Sequence, residues 1–156
     1  MTLLATRHIA VLLALAVPAA LDAQAAAKAA PTPAAAVEEF MRAVADSNLT
    51  RMSQLYGNGS GSAYVTHQPK GFEKRMVIIQ ALIHGVQAKT LGEVPAAKGG
   101  MRTVTTKLSH NGCTVTIPVN VIKSDLGWLV HDFDDVEASK INQPCEGSKR
   151  PGNYLQ

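Results

Sequence analysis

The sequence predicts an α+β domain with a mostly antiparallel sheet. Apolar residues recur at helical spacing in two stretches of the first half, residues 37–44 and 72–83. The second half instead has runs rich in Val, Ile and Thr that are separated by turn residues, a pattern typical of strands. Because the helical patterns come first and the strand patterns follow, we expect the strands to form a meander after the helices.

The first 25 residues have the pattern of a secretory signal peptide. Arg7 and His8 lie in a short polar region, an apolar run of 13 residues follows at 9–21, and Ala-Gln-Ala at 23–25 offers a cleavage site. The apolar run is too short to cross a bilayer stably, which disfavours the alternative of a membrane anchor. We therefore expect an exported protein, periplasmic or secreted, without membrane contact after cleavage. Residues 26–32 would form an Ala-rich, mobile linker.

Composition argues against several classes of partner. Removal of the leader leaves the net charge at +3, because the leader contains one basic residue, Arg7, and one acidic residue, Asp22. The basic residues are scattered, and the chain has only three Tyr, three Phe and one Trp. A nucleic-acid interface usually combines a basic face with aromatic residues, so no nucleic acid is expected. The four histidines beyond the leader lack metal-ligand spacing, so neither a metal nor another cofactor is expected.

Three helices are predicted in the first half. Thr32-Pro33 supplies a hydroxyl N-cap followed by proline at the first helical position. The apolar stripe of this helix has the spacing i, i+3, i+4, i+7 and consists of Val37, Phe40, Met41 and Val44. Residues 46–48 end it and cap a short second helix, which Gly57 ends. The longest helix is predicted from Phe72 to His84, where a broad apolar stripe indicates that it is largely buried.

The predicted strands follow this helix, except for one short strand from Ala63 to His67. The long strands are predicted at Val86–Val94, Arg102–Leu108, Cys113–Ile122 and Trp128–Val136. Asn111-Gly112 is a strong hairpin signal because both residues tolerate positive φ. The strand from Cys113 alternates Val and Ile with Thr and Asn, as expected for a sheet with one buried face.

Two cysteines in an exported chain predict a disulfide bond between Cys113 and Cys145. The first begins a predicted strand, and the second lies in a C-terminal tail, residues 139–156, that is expected to be irregular. The bond would hold this tail on the sheet. The alternative is a pair of free thiols.

Two stretches carry a resemblance to a known superfamily. Residues 40–52 look like a first helix, a polar break and a second helix, and Gly-Trp-Leu-Val-His-Asp at 127–132 looks like a last strand. They resemble the cone-shaped superfamily of nuclear transport factor 2, which includes the ketosteroid isomerases, scytalone dehydratase and the SnoaL-like proteins. The resemblance covers residues 33–138. It implies a curved sheet wrapped around the long helix, with two N-terminal helices and a pocket in the cone, but no particular activity.

The pocket implied by the resemblance defines the candidate site residues. We expect an apolar ligand to contact Tyr64, His67, Phe72, Met76 and Trp128. Catalytic members of the superfamily place an acid or base on the last strand, where this chain has Asp132 and Asp134. Simple alternation puts both on the face of Trp128 and opposite His131. Buried together, one carboxyl would keep its proton near neutral pH, as acid/base work requires; alternatively, both are ionised and solvated at the cone mouth.

The sequence therefore predicts an exported, non-catalytic domain that binds a small apolar ligand or a protein partner. No donor–base constellation stands out, which disfavours catalysis. The alternative is an isomerase- or dehydratase-like enzyme with Asp132 or Asp134 as general base and Tyr64 or His67 as proton donor. A third possibility is a structural subunit that forms a homodimer through the open face of the sheet.

Overall fold

The computed structural model describes residues 29–145. The predicted signal peptide, residues 1–25, lies outside this part of the chain. The helices are α1 (Pro33–Ala45), α2 (Leu49–Leu55), α3 (Ala63–Thr66), α4 (Phe72–Ile83), α5 (Asp135–Ser139) and a 3₁₀ turn (Lys140–Asn142). The strands are β1 (Gly57–Asn58), β2 (Gly61–Ser62), β3 (Gln87–Pro95), β4 (Met101–His110), β5 (Cys113–Ser124) and β6 (Gly127–Phe133).

Strands β3 to β6 form an antiparallel meander in chain order, which confirms the predicted antiparallel sheet. The β4–β5 hairpin turns at Asn111 and Gly112, whose φ angles are 48° and 84°. On β5 the inward residues are fully buried, namely Ile117, Val119 and Val121. Strands β1 and β2 form a separate two-stranded hairpin.

Helix α1 is the helix that packs against the sheet. Thr32 Oγ1 accepts a hydrogen bond from the Ala35 N–H at 3.1 Å, so the predicted cap is present. The apolar stripe of α1 contacts all four strands, whereas α4 packs mainly against α2 and α5. With 13 residues, α1 is also longer than α4, which has 12. The prediction that the helix beginning at Phe72 is the longest and lies at the centre of the sheet is therefore wrong.

Helix α4 is amphipathic rather than largely buried. Phe72, Met76, Ile79 and Ile83 are buried, but Val77 and Ile78 are 50% and 42% exposed. Of the two residues predicted to broaden its apolar stripe, Ile78 thus lies on the surface, whereas Leu82 is partly buried against the core. This exposure leaves apolar groups available for contacts outside the core.

The segment predicted as a short strand, Ala63 to His67, is the single-turn helix α3 instead. Its Val65 side chain is exposed and no strand lies beside it. The turn ends at His67, which has φ 53° and donates its backbone N–H to the Ala63 carbonyl at 2.9 Å. The strand propensity of Tyr, Val and Thr was overridden because this segment has no partner strand to pair with.

A bulge in β6 changes which of its side chains face inward. Val121 pairs with Val130, but Asn120 pairs with Asp132, so His131 is an extra residue without a cross-strand partner. Its Nδ1–H donates instead to the Gly57 carbonyl at 2.9 Å. As a result the face that carries Val130 continues at Phe133, and the strand ends there. The predicted strand to Val136, with Asp132 on the face of Val130, is therefore wrong.

Both ends of the described chain are attached to the sheet. Ala30 and Trp128 exchange two backbone hydrogen bonds, of 3.0 and 2.7 Å, so the end of the predicted mobile linker is ordered. At the other end, Ile141 lies in the 3₁₀ turn and is buried in the core. The predicted disulfide joins Cys113 to Cys145, with Cα atoms 5.7 Å apart. The tail is therefore helical to Asn142 rather than irregular from residue 139.

Candidate functional site

An apolar concave surface lies among the helices and not between a helix and the sheet. We call it the helical groove; its volume is about 610 Å³. Its lining residues come from α2, from the segment of α3 and from α4: Leu49, Thr50, Ser53, Tyr64, His67, Phe72, Glu73, Met76 and Val77. The interior between α1 and the sheet is filled by core side chains, so the site differs from a pocket inside a cone.

The floor and rim of the helical groove are apolar. Phe72 and Met76 form its floor and belong to the core. Leu49, Tyr64 and Val77 stand at its rim and are 40%, 47% and 50% exposed. Helix α4 places its residues on one side of the groove because Met76 and Val77 follow Phe72 and Glu73 by four residues, about one helical turn. An apolar molecule in the groove would cover this surface.

The polar groups of the groove are few. The Ser53 hydroxyl donates to the Leu49 carbonyl at 2.9 Å and is therefore occupied. Within residues 29–145, the side chains of Tyr64, His67 and Glu73 make no hydrogen bond or ion pair. The His67 ring lies 6.4 Å from the Phe72 ring, centroid to centroid. These three side chains are thus available to a ligand.

Four of the five residues predicted to bind a ligand come together in this groove: Tyr64, His67, Phe72 and Met76. The fifth, Trp128, lies on β6, where it pairs with Ala30 and packs partly buried against the core. It does not line the groove. The sequence missed Leu49 and Val77, although Val77 could have been found by its place one residue beyond Met76 on an amphipathic helix.

Arg75 organises a second, polar cluster on the other side of α4. Its Nη2 donates to Asp132 Oδ1 at 3.0 Å, to Asp135 Oδ1 at 3.2 Å and to the Phe133 carbonyl at 3.4 Å. The guanidinium carbon is 6.0 Å from the centroid of the Tyr56 ring. This one side chain therefore connects α4 to the corner between β6 and α5. A cavity of about 340 Å³ lies beside it.

The two carboxylates predicted as catalytic candidates do not share a site. The Asp132 side chain is 57% exposed and pairs with Arg75. Asp134 is the N-cap of α5, where its Oδ1 accepts the Glu137 N–H at 2.9 Å. The bulge at His131 turns Asp132 away from the face of Val130, and the strand ends at Phe133 before Asp134. Both residues are exposed, as in the alternative of solvated acids, and the alternative of two buried acids on one strand face is therefore wrong.

Asp135 is the carboxyl in this cluster that is withdrawn from water. Its side chain is 26% exposed and lines the cavity beside Arg75. Burial raises the pKa of Asp135; the Arg75 guanidinium lowers it, and the charges of Asp132 and Asp134 raise it further. Burial also raises the pKa of the Tyr56 hydroxyl, against the opposing effect of Arg75. The role of Asp135 could not be predicted from the sequence, because its pairing with Arg75 on α4 depends on tertiary structure.

The raised pKa of Asp135 predicts a specific pH dependence of stability. A folded-state pKa above the unfolded value means that the folded protein binds the proton more tightly. Its contribution is therefore most favourable at low pH and is lost as the pH rises from about 4 through the folded-state pKa. Urea unfolding of wild type and Asp135→Asn at a series of pH values measures this contribution. We expect the difference between their free energies of unfolding, wild type minus variant, to fall as the pH rises across this window. A difference that rises with pH would contradict the direction of the shift.

The face of the sheet opposite α1 is mainly polar. Its cross-strand pairs include Thr103 with Asn120, Thr105 with Pro118 and Lys107 with Thr116. The Thr103 hydroxyl donates to Asn120 Oδ1 at 2.8 Å. The predicted homodimer through this face stays a prediction. In residues 29–145 no helix is long and apolar enough to cross a bilayer.

Comparison with known proteins adds little to this description. No protein-family model matches the chain, and no curated protein is significantly similar to it. One similar solved structure is that of an NTF2-like protein of unknown function from Cytophaga hutchinsonii, at 12% identity. The match covers 67% of this chain and 92% of that one, with a TM-score of 0.39. At these values we draw neither a family nor a function from it; the α+β architecture rests on the structure of this chain.

Proposed function

We propose that this chain is an exported, non-catalytic domain that binds a small apolar ligand in the helical groove. The observation that supports this is an apolar concavity of about 610 Å³ with exposed Leu49, Tyr64 and Val77 at its rim. Ligand sites are commonly about 300–1,000 Å³ in volume, lined by apolar and aromatic side chains, with a few polar groups that orient the ligand. The groove has this composition.

The driving force for binding would be burial of apolar surface. Each Å² removed from water contributes about 25 cal/mol, before the cost of association. Phe72 and Met76 are already fixed by the core, so the floor is preformed and little ordering is needed. The side chains of Tyr64 and His67 at the rim can then orient the ligand by hydrogen bonds.

A blocking substitution in the groove tests this proposal. Val77 lies one turn after Glu73 on α4, so in Val77→Arg the new side chain can pair with Glu73 along the helix and cover this side of the groove. We expect 1-naphthalenemethanol, a neutral aromatic probe, to bind wild type and to lose at least about tenfold in affinity for V77R, measured by calorimetry. A tenfold loss corresponds to about 1.4 kcal/mol.

Val94→Arg is the matched control for this experiment. Val94 is 56% exposed, close to the 50% of Val77, but it lies on β3 away from the groove. V94R should bind the probe as wild type does. Equal loss in both variants, or no binding of the probe to wild type at all, would contradict a ligand site in the groove.

We further infer that the domain belongs to the cone-shaped superfamily of nuclear transport factor 2. The support comes from the stretches 40–52 and 127–132 and from the order of elements, with helices first and an antiparallel meander last. The longest helix, α1, lies across all four strands. This assignment concerns the fold, since the same fold serves binding and catalysis.

Export is the second part of the proposal. It is supported by the leader pattern in residues 1–25 and by the Cys113–Cys145 disulfide, because disulfides persist mainly in oxidising compartments. We expect the intact mass of protein recovered from the periplasm or medium to correspond to a chain that begins near Ala26. A mass that still includes residues 1–25 would contradict cleavage at this site.

An isomerase- or dehydratase-like activity remains the second candidate, with a different residue. Asp135 is the carboxyl that combines a raised pKa with a place in a cavity wall, and the Tyr56 ring lies in the same wall. A general base needs a pKa moved toward neutrality. The ion pair of Asp135 with Arg75 favours a structural role instead. A carboxyl resonance of Asp135 that titrates above about 6 in NMR would favour the enzyme.

A further inference from the structure

The charge around the helical groove is restricted to one carboxylate. Glu73 lines the groove and has no hydrogen bond or ion pair within residues 29–145. No Lys or Arg of the described chain lines it. The nearest cations in sequence, Lys74 and Arg75, line the separate cavity on the other side of α4. The groove therefore presents an apolar surface with a single fixed negative charge.

Helix α4 contributes different charged side chains to the two concave surfaces. Residues 73 and 77 are spaced by four and lie next to each other along the helix, as residues 74 and 78 do. The first pair lines the helical groove, whereas the second pair lines the separate cavity. The groove therefore takes Glu73 from α4, and Lys74 lines the cavity.

Two aromatic rings line the same groove as this carboxylate. Tyr64 lies at the rim, and Phe72, the residue before Glu73, lies on the floor. The face of an aromatic ring attracts a cation, and this attraction adds to that of a carboxylate. A neutral ligand would leave Glu73 partly covered without a partner, and an anionic ligand would be repelled by it.

We infer that the ligand of the helical groove is a hydrophobic monocation, an aromatic or alicyclic amine. Its apolar body covers the exposed side chains of Leu49, Tyr64 and Val77, while its ammonium group faces Glu73. This inference rests on the proposed function of the groove. It adds the chemical class of the ligand to the site. The apolar body provides the affinity, and the ion pair selects the cation.

Three probes of one size and different charge test the inference. They are 1-naphthylmethylamine as cation, 1-naphthalenemethanol as neutral molecule and 1-naphthoate as anion, titrated into the full mature protein by calorimetry at pH 8, where histidine is ordinarily uncharged. We expect the cation to bind about two- to fivefold more tightly than the alcohol, the range of an exposed ion pair. The anion should bind more weakly than the alcohol. At about 1 M salt, where the Debye length is about 3 Å, the preference should shrink.

Glu73→Gln and Asp125→Asn separate a local ion pair from the overall charge. Both substitutions remove one negative charge and keep side-chain size, but Asp125 lies exposed in the turn between β5 and β6. E73Q should abolish the preference for the cation and leave the affinity for the alcohol unchanged. D125N should leave both affinities unchanged.

The outcomes distinguish this inference from the proposed function. If the alcohol and the amine bind wild type equally, or if E73Q retains the preference, the groove binds apolar ligands but Glu73 selects no cation, and the inference is overturned. If the alcohol does not bind wild type, the proposed function fails, and the inference that rests on it fails too. Circular dichroism of E73Q should match wild type, since this exposed residue has no partner to lose.

Discussion

Removing the Cys113–Cys145 disulfide is expected to lower the free energy of unfolding by about 3–4 kcal/mol. The bond joins residues separated by 32 positions, and the chain-entropy model assigns a loop of this size a stabilisation in that range, because the bond restricts the unfolded chain. Cys113 is buried at the start of β5, so an alanine there leaves little strain. The measurement is urea unfolding of Cys113→Ala/Cys145→Ala beside the oxidised wild type.

Reduced wild type is the matched control, since it has the same residues without the bond. It should unfold close to the double variant. Hydrogen exchange should also show faster opening at Ala138 and Ile141, which are buried against the core just before Cys145. A loss of stability below about 1 kcal/mol, or unchanged exchange in this segment, would mean that the tail is held by its apolar contacts and not by the bond.

The sequence predicted well those elements whose signal is local. The caps Thr32 and Asn48, the turn at Asn111-Gly112 and the alternation of β5 are each determined by a few neighbouring residues, and all are present. The disulfide was predictable because the described chain has one pair of cysteines. Helix and strand types were therefore recoverable in most of the chain. The exceptions include Ala63–Thr66, where strand propensity was misleading, and Asp135–Ser139, where a strand end and an irregular tail were predicted but a helix is found.

Features that depend on partners distant in sequence were not predictable. The bulge at His131 changes the inward face of β6, and no residue at this position signals it. Which helix covers the sheet is likewise decided by packing, because α1 and α4 have 13 and 12 residues and each carries an apolar stripe. The ion pair between Arg75 and Asp135 joins residues 60 positions apart. The partial burial of Asp135 could therefore not be predicted from the residues next to it in the sequence.

The candidate binding residues were predicted better than the pocket that contains them. Tyr64 and His67 were expected at a pocket mouth, and Phe72 and Met76 at its wall. They do meet, but around the exposed side of α4 rather than inside the cone. The reason is that Phe40 and its neighbours on α1 fill the space that a cone pocket would need.

Replacing Phe40 by alanine is therefore expected to destabilise the protein by about 3–5 kcal/mol, the usual cost of deleting a buried phenyl ring. Phe40 is fully buried, and its ring lies 6.5 Å from that of Tyr56 and 6.3 Å from that of Phe133, the latter edge to face. The substitution removes contacts between α1, α2 and β6 at once. Urea unfolding measures the loss, with Leu126→Ala as control because Leu126 is 69% exposed in a turn; that variant should stay within about 0.5 kcal/mol of wild type.

The same variant separates the core from the helical groove. Phe40→Ala should leave an apolar cavity beneath α1 that stays dry and can hold a benzene-sized molecule. We expect benzene to raise the stability of F40A more than that of wild type, because ligand that binds only the folded state stabilises it by mass action. Adding Val77→Arg should not remove this effect, since Val77 lines the groove and not the core. The contrary outcome is that benzene stabilises wild type and F40A equally and that V77R abolishes both effects. Benzene would then bind in the groove, and the space beneath α1 would have collapsed in F40A.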